Sequence, residues 1–376
     1  MLKGIHLTLL VGPVVPVPVP AEILDALDSV EVTSTAERDT PSGFRLSFTV
    51  SPRSPLHTLF LLGAGAMVPI MRVILIATVN GIPDVLMDGV ITRQDITPGE
   101  NGKSTLTITG TDLTALMDRI DLSGIPYPAM PPNIQVMTIL AKYAVFGMIP
   151  AVLPPLFIDV PIPTDRIPQQ DGTDLYYIRK LARDVGYVFY VAPGPVPGTN
   201  IAYWGPEVKI GVPQPALNLD LDAGRNVESI NFRFNNDAKS LPIVYLYIKE
   251  LKVAIPVPIP DFNPLQPPLG LIPPLPVQLN LLHDTASKSF PAAFMEGLDE
   301  SARSSDAVTA SGSLDVLRYG RILKSRGLVG VRGVGPAFDG LYYVKSVTHS
   351  IRRGEFKQSF ELTRNGLVSI TPVVVP

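Results

Sequence analysis

Gly102, Lys103 and Ser104 close the octet Thr97-Pro-Gly-Glu-Asn-Gly-Lys-Ser104, which ends like a phosphate-cradling loop. Such a loop works through backbone N–H groups and a helix N-terminus that point together at the anion. Here Thr97 stands where the motif has its first glycine, and Thr105-Leu-Thr-Ile-Thr109 continues as an alternating strand. A hairpin turn is the expectation. Gly327, Gly330, Gly333 and Gly335 form a second glycine-rich stretch. No helical pattern follows them, and glycines in strands mark bulges or close backbone approach. Asp220-Leu-Asp222-Ala-Gly-Arg-Asn226 starts like a calcium loop, but Gly224 occupies the third ligand position and no glutamate closes it at the required spacing. A turn leading into a strand is expected there.

The histidines are His6, His57, His283 and His349. None lies three or four residues from another, so no helix presents a metal-binding pair. The absence of cysteine excludes thiolate sites, cysteine nucleophiles and disulfides. No G-x-S-x-G elbow occurs. Folding could still bring two carboxylates to the spacing of a glycosidase, which keeps a lytic activity open. Trp204, beside Tyr203, could stack a sugar or a base, or could pack in a core. No catalytic, cofactor-binding or metal-ligating residue is nominated, no cofactor is implied, and the chain is expected not to be an enzyme.

The elements that would have to position any such groups are mostly strands. Of the 376 residues 46 % are hydrophobic and 17 % charged, which suits a folded chain of two or three domains. The 40 prolines cluster without a period, and proline interrupts helices by removing a donor and clashing with the preceding turn. Residues 1–125 read as a first β-rich domain. Phe44, Leu46, Phe48 and Val50 alternate with Arg45, Ser47 and Thr49 at the period of a half-buried strand. Residues 73–79 form a strand, Asn80-Gly81 suits a type I′ turn, and 84–92 returns. A short helix starts at Thr111 or Asp112, capped by either side chain.

Residues 126–215 read as a small α/β domain with proline-rich linkers. A helix is expected over 133–146, with Ile134, Met137, Ile139, Leu140 and Ala144 inward. A second helix, capped at Thr173 or Asp174, buries Leu175, Ile178, Leu181, Ala182 and Val185 and stops at Gly186. Strands follow at 187–191 and 200–204. Residues 216–376 return to β, with strands at 227–234 and 243–248 and a proline-rich insertion at about 251–282. That insertion carries almost no charge, so it is expected to lie on a surface, such as a partner's. A helix is expected over 315–325, ended by Gly327. A meander closes the chain: 328–335, then 341–349, then Phe356, Gln358, Phe360 and Leu362 alternating with polar residues.

Net charge is −3, which leaves no electrostatic footprint for specific nucleic-acid binding. Residues 315–376 hold ten Lys/Arg and four Asp/Glu, a local +6 that leaves −9 for the remainder. Solvated faces explain this excess, as would docking on an acidic partner surface. Lys3 and the apolar run 7–15 imitate a signal peptide, but Pro13, Pro16, Pro18 and Pro20 break it and no A-x-A site follows. The run 59–79 imitates a membrane span, yet Pro69 and Arg72 interrupt it, so buried strands are expected and no direct membrane insertion.

One region is specific enough to resemble a family. Gly330-Val-Arg-Gly-Val-Gly335, Phe338-Asp-Gly-Leu-Tyr-Tyr-Val-Lys-Ser-Val-Thr-His349 and Gly354-Glu-Phe-Lys-Gln-Ser-Phe-Glu-Leu-Thr-Arg364 resemble the closing meander of the late-control D family. Its members are baseplate hubs of long-tailed phages and the hub part of type VI secretion spike (VgrG) proteins. Leu175-Tyr-Tyr-Ile-Arg-Lys-Leu-Ala-Arg-Asp-Val-Gly-Tyr-Val-Phe-Tyr190 resembles its middle helix-then-strand segment, and Gly89-Val-Ile-Thr-Arg-Gln-Asp-Ile96 an early strand. The resemblance implies two tail-tube-like β-barrel domains flanking the α/β domain, and a homotrimeric ring. Such a trimer adapts a hexameric inner tube to a three-fold spike, because duplicated domains let a three-fold object present six units. The meander is followed by only a few residues, so the spike protein is expected to be a separate polypeptide. The implied partners are the spike protein, the inner tube protein and other baseplate proteins. The implied location is a baseplate assembled in the cytoplasm, extracellular after particle release. Two other functions stay open, a lytic hub enzyme and a secreted β-rich glycan-binding module.

Overall fold

The computed structural model describes residues 4–51, 54, 60, 70–99, 103–156, 160–164, 167–219, 224–248, 253–259, 266–276, 278–282, 290–304 and 306–371. The chain is mainly β. The N-terminal region contributes β1 (Ile5–Gly12), β2 (Val17–Pro18), the short α1 (Ala21–Asp25), β3 (Leu27–Thr35), β4 (Gly43–Val50), β5 (Arg72–Val79), β6 (Ile82–Pro98), β7 (Ser104–Asp112) and the single turn α2 (Thr114–Met117). The alternation read from β4 holds, with Phe44, Leu46, Phe48 and Val50 all buried. Asn80 and Gly81 join β5 to β6 with φ of 51° and 83°, the double positive φ that a type I′ turn requires. Gly110 of β7 sits opposite Phe44, and a Cβ there would lie 2.3 Å from the Phe44 ring. The short helix starts at Thr114 and not at Thr111 or Asp112, with Leu113 at its N-cap position; the Asp112 carboxylate accepts the Thr114 N–H at 3.0 Å just ahead of it.

The middle region contains α3 (Pro132–Ala141), β8 (Met148–Val152), α4 (Asp174–Asp184), β9 (Val188–Pro193) and β10 (Asn200–Gly205). α4 meets its expected cap, since the Thr173 hydroxyl accepts the Tyr176 N–H at 3.2 Å. It ends at Gly186 with φ of 69°. β8, β10 and β9 form a three-stranded sheet covered on one face by α3 and α4 around a separate core of Val136, Ile139, Leu140, Ile178 and Trp204. α3 differs from expectation. It stops at Ala141, and after a 3-10 turn over Ala144–Phe146 the chain reverses at Gly147, φ 73°. Its buried face holds Gln135, Val136, Ile139 and Leu140, whereas Ile134, Met137 and Ala144 are exposed. Gln135 takes an inward place because its amide accepts from the Tyr177 hydroxyl and donates to the Met130 carbonyl, both at 2.7 Å.

The C-terminal region contributes β11 (Gln214–Asn218), β12 (Ser229–Phe234), β13 (Ser240–Ile248), β14 (Val253–Pro258), β15 (Gly270–Ile272), β16 (Gln278–Leu282), α5 (Phe290–Arg303), β17 (Val308–Asp315), α6 (Val316–Tyr319), β18 (Leu328–Arg332), β19 (Gly340–Arg352), β20 (Glu355–Arg364) and β21 (Leu367–Ser369). The helix expected over 315–325 begins on its Asp315 cap but runs only as the single turn α6. Its sequence has apolar residues at helical spacing, but Asp315 ends a strand paired to Lys357 of β20. The Asp315 carboxylate caps one turn, and Gly320 at φ 82° closes it. Residues 322 and 323 are then pulled into the core, where Leu323 exchanges both backbone bonds with the Gln358 amide at 3.0 and 2.8 Å.

The first and last regions share one sheet of 13 strands, in the order β12-β17-β20-β19-β3-β4-β7-β6-β5-β1-β2, with β11 and β18 attached at β19. The junction is the antiparallel pair β3–β19, in which Val347 opposes Ser34 and Ile351 opposes Val30. A single core, running from Leu9 and Leu46 to Val347 and Leu362, lies under both halves. Among the described residues the strand path is open, ending at β12 and β2. The low-charge insertion adds β14 and β16 to the two edges of β13, with α5 against β13, while its β15 pairs with β21 near the C-terminus. Among the described residues no helix is long and apolar enough to cross a membrane. Of the run 59–79, residues 72–79 are β5, while 59 and 61–69 lie outside the described residues.

Candidate interaction surface

Each residue pattern that could have done chemistry has a structural use where it is described. Thr97 to Ser104 is the β6–β7 hairpin, with Pro98 opposite Ser104 and the Gly99 N–H donated to the Lys103 carbonyl at 2.9 Å. Residues 100–102 lie outside the described residues, as do 220–223 of the calcium-like loop, His57 and His283. Asn226 braces that loop's exit by accepting the Asn218 N–H and donating to the Ala216 carbonyl, both at 2.8 Å. Gly330 lies in β18 opposite Leu341, and Gly333 and Gly335 form the turn that follows. Trp204 is 0 % exposed, with its indole N–H aimed at the Ile178 carbonyl and Tyr187 edge-on at 4.9 Å. It is core and cannot serve as a stacking platform. Among the described residues no group of three His, Asp or Glu side chains could hold a metal ion.

Polar groups instead seat the small α/β unit on the large sheet, at three joints. In the first, Arg72 of β5 and Asp88 of β6 form a fully buried bidentate pair at 2.7 and 2.6 Å. Asn200 of β10 donates to the same carboxylate at 2.8 Å, and Arg72 reaches the Gly198 carbonyl at 3.0 Å. In the second, Asp39 lies between Arg179 and Arg183, each at 3.2 Å. These arginines share a face of α4 because four residues make about one turn. In the third, the Arg326 guanidinium stacks on the Tyr190 ring at 3.7 Å and donates to the Thr35 carbonyl at 2.6 Å. Arg326 itself has φ of 62°, a left-handed conformation held by its surroundings.

The third joint lines a cleft of about 430 Å³, whose walls include Asp84, Asp112, Tyr190, Lys324, Arg326 and His349. Its charged groups are already engaged. Lys324 pairs with Asp84. Asp112 accepts N–H bonds from Ser42 at 2.8 Å and Thr114, although burial, the largest influence, pushes its carboxyl above the usual range. Burial also lowers Arg326. His349 is buried and pushed down to about 4 by desolvation, with Lys324 adding to the effect. Its Nδ1 therefore accepts from the Gln358 amide at 3.0 Å. No free base faces a nucleophile among these groups, so the cleft is a polar seam between structural units.

The surface is apolar where the seam is polar. Ile149 of β8 and Ile201 of β10 are adjacent in register and both exposed on the outer face of the small sheet. Ile134 and Met137 stand one turn apart on the outside of α3. In the insertion Leu271, Ile272, Leu275, Leu279 and Leu281 are exposed. Apolar side chains grouped on a surface are candidate sites of contact with another protein. The α3 pair escaped sequence reading because its apolar spacing fits an inward face equally well.

No family model matches the sequence, and no curated protein matches it. Solved structures do. The tail protein from Neisseria meningitidis MC58 superposes with a TM-score of 0.63 at 13 % identity, over 97 % of this chain and 98 % of that one. The 43 kDa tail protein of prophage MuSo2 from Shewanella oneidensis gives 0.62 at 14 % identity, over 96 % and 98 %. An E. coli component of the type VI secretion system, which exhibits structural similarity to T4 bacteriophage tail proteins gp27 and gp5, gives 0.55 at 13 % identity, over 93 % and 77 %. The chain shares the fold of these proteins along nearly its whole length.

Proposed function

We propose that the chain is a structural baseplate hub of a phage tail or contractile injection machine. The observation that carries this reading is the end-to-end match in fold to two tail proteins, each covered over 98 % of its own length. The exposed apolar surfaces favour it too, since they suit a protein that works inside an assembly. In this reading residues 1–125 and 216–376 are the two tube-like domains and 126–215 is the intervening α/β domain. Three copies close a ring that presents six tube-like units to the inner tube and a three-fold face to a spike. Other baseplate proteins contact the proline-rich segments. The chain assembles in the cytoplasm and remains in the particle.

Light scattering tests the ring directly. A mass near three times 40.5 kDa is expected for the purified chain. A monomer at concentrations where particles assemble would sink the hub reading. Electron microscopy of the intact particle should then show the chain as a three-fold layer between tube and spike. Burial of Trp204 removes the stacking platform on which a glycan-binding module would rely.

A further inference from the structure

The two β-rich regions repeat one strand pattern. β3, β4, β7, β6 and β5 lie side by side, and every neighbouring pair is antiparallel. β12, β17, β20, β19 and β18 do the same, in the same chain order. A β-bulge fixes the correspondence to the residue. β6 shifts register against β7 between Ile91 and Arg93, and β19 shifts against β20 between Val344 and Ser346. The hairpin partner stops at the same place in both, with Arg72 of β5 opposite Val90 and Leu328 of β18 opposite Tyr343. From Ile91 the ladder runs through Gly110 and Phe44 to Val32. From Val344 it runs through Leu362 and Ala310 to Phe232. β12 is therefore the counterpart of β3, and β6 the counterpart of β19.

Only one of the two counterpart edges is filled. Beyond its bulge β19 receives β3, with Thr348 opposite Thr33 and His349 opposite Val32. The Thr33 and Thr348 hydroxyls hydrogen-bond at 3.0 Å, and Val32 and His349 are buried. Beyond its own bulge the same edge of β6 meets no strand among the described residues, and β12 ends the strand path. Ile96, the counterpart of His349, is exposed, and Phe232, the counterpart of Val32, is half-buried. Six strands separate β12 from β6 in the sheet, so the two edges of one chain lie apart. Open edges carry unpaired N–H and C=O groups that a further strand satisfies. Setting β12 against β6 in the register of β3 against β19 brings Arg233 opposite Asp95 and Phe232 opposite Ile96. Opposite charges and apolar pairs directly across two strands are favourable.

We propose that β12 of one copy adds to the Arg93–Thr97 edge of β6 in the next copy, repeating between chains the β3–β19 junction found within one. The two edges differ, so the contact is head-to-tail and propagates around a ring. This inference rests on the ring reading above and names the edges that meet in it. The chain has no cysteine, so engineered thiols report the register cleanly. Asp95→Cys with Arg233→Cys, oxidised in the purified chain, should give covalent dimers and trimers on a non-reducing gel. Thr97→Cys with Asn231→Cys reads the same register without touching the charge pair. Asp95→Cys with Ser229→Cys, four residues out of register, should cross-link several-fold less. Arg233→Glu should weaken association several-fold without changing the melting temperature of the monomer, and adding Asp95→Lys should restore it. Absence of cross-links from both in-register pairs, in chains that light scattering shows to be multimeric, overturns the edge inference and leaves the ring. So does a disulfide confined to one chain, or equal cross-linking of the out-of-register pair. A parent chain that stays monomeric at assembly concentrations removes the ring reading and the edge inference with it.

Discussion

Arg72 and Asp88 are the residues on which the seating of the α/β unit most depends, because neither can find water if its partner is lost. Truncating one member of a buried pair leaves an uncompensated charge, which destabilises by about 3–5 kcal/mol. Asp88→Ala should therefore shift the denaturant midpoint strongly, while Asp88→Asn, which keeps an acceptor oxygen for Arg72 and Asn200, should shift it less. Equilibrium urea unfolding distinguishes the two outcomes. His349 makes a second residue-scale prediction. Its folded value near 4 lies below the ordinary 6.5, so the neutral form stabilises the fold. That contribution is complete above pH 6.5 and is lost as pH falls toward 4, about 3 kcal/mol across the window. His349→Gln should show a shallower loss of stability over that range in urea unfolding followed at several pH values.

Among the elements, α4 and the closing meander were legible in the sequence, α3 and the helix after Asp315 only in part, and α5 not at all. α4 announces itself through local chemistry: a capping threonine, an amphipathic stripe and a terminal glycine lie within one stretch of chain. Thr173→Ala should lower stability by about 1 kcal/mol, read as a fall in melting temperature. The meander was legible because alternation over Phe356, Gln358, Phe360 and Leu362 has a single in-register solution. All four are buried, Gln358 because its amide ties the 322–323 segment to His349. The helix expected over 315–325 stopped after one turn at Gly320, because the Gln358 amide of β20, about thirty-five residues away, draws the 322–323 segment into the core, and no local pattern reveals that partner. α3 was found but its face was misassigned, since hydrogen bonds to Tyr177 and Met130 brought Gln135 inside. The insertion carries the remaining element-scale prediction. Removing 256–276 should weaken particle assembly and leave the oligomeric mass of the purified chain unchanged; normal assembly without it would refute a contact role.

For the whole molecule the deciding feature is the β3–β19 pair, which makes one sheet and one core from strands about three hundred residues apart. The α/β unit is then held against that sheet by Arg72, Asp39 and Arg326. Arg326→Ala removes a stacked cation and a hydrogen bond to Thr35, together worth about 1–3 kcal/mol. Hydrogen exchange should consequently quicken in β9 and β10 while β4 and β20 stay protected. Composition, alternation and capping determined, from sequence alone, that this chain is β-rich, that an α/β segment lies in its middle and that its motifs fail as phosphate, nucleotide and calcium sites. Those are local properties, set by a residue and its near neighbours. Tertiary structure alone decided that the two β-rich regions share a sheet, that Trp204 is core, that the charged groups of the cleft are already engaged and that Leu275 faces outward. Each of these depends on which distant segment arrives to cover a side chain or satisfy a charge, and no single stretch of sequence carries that information.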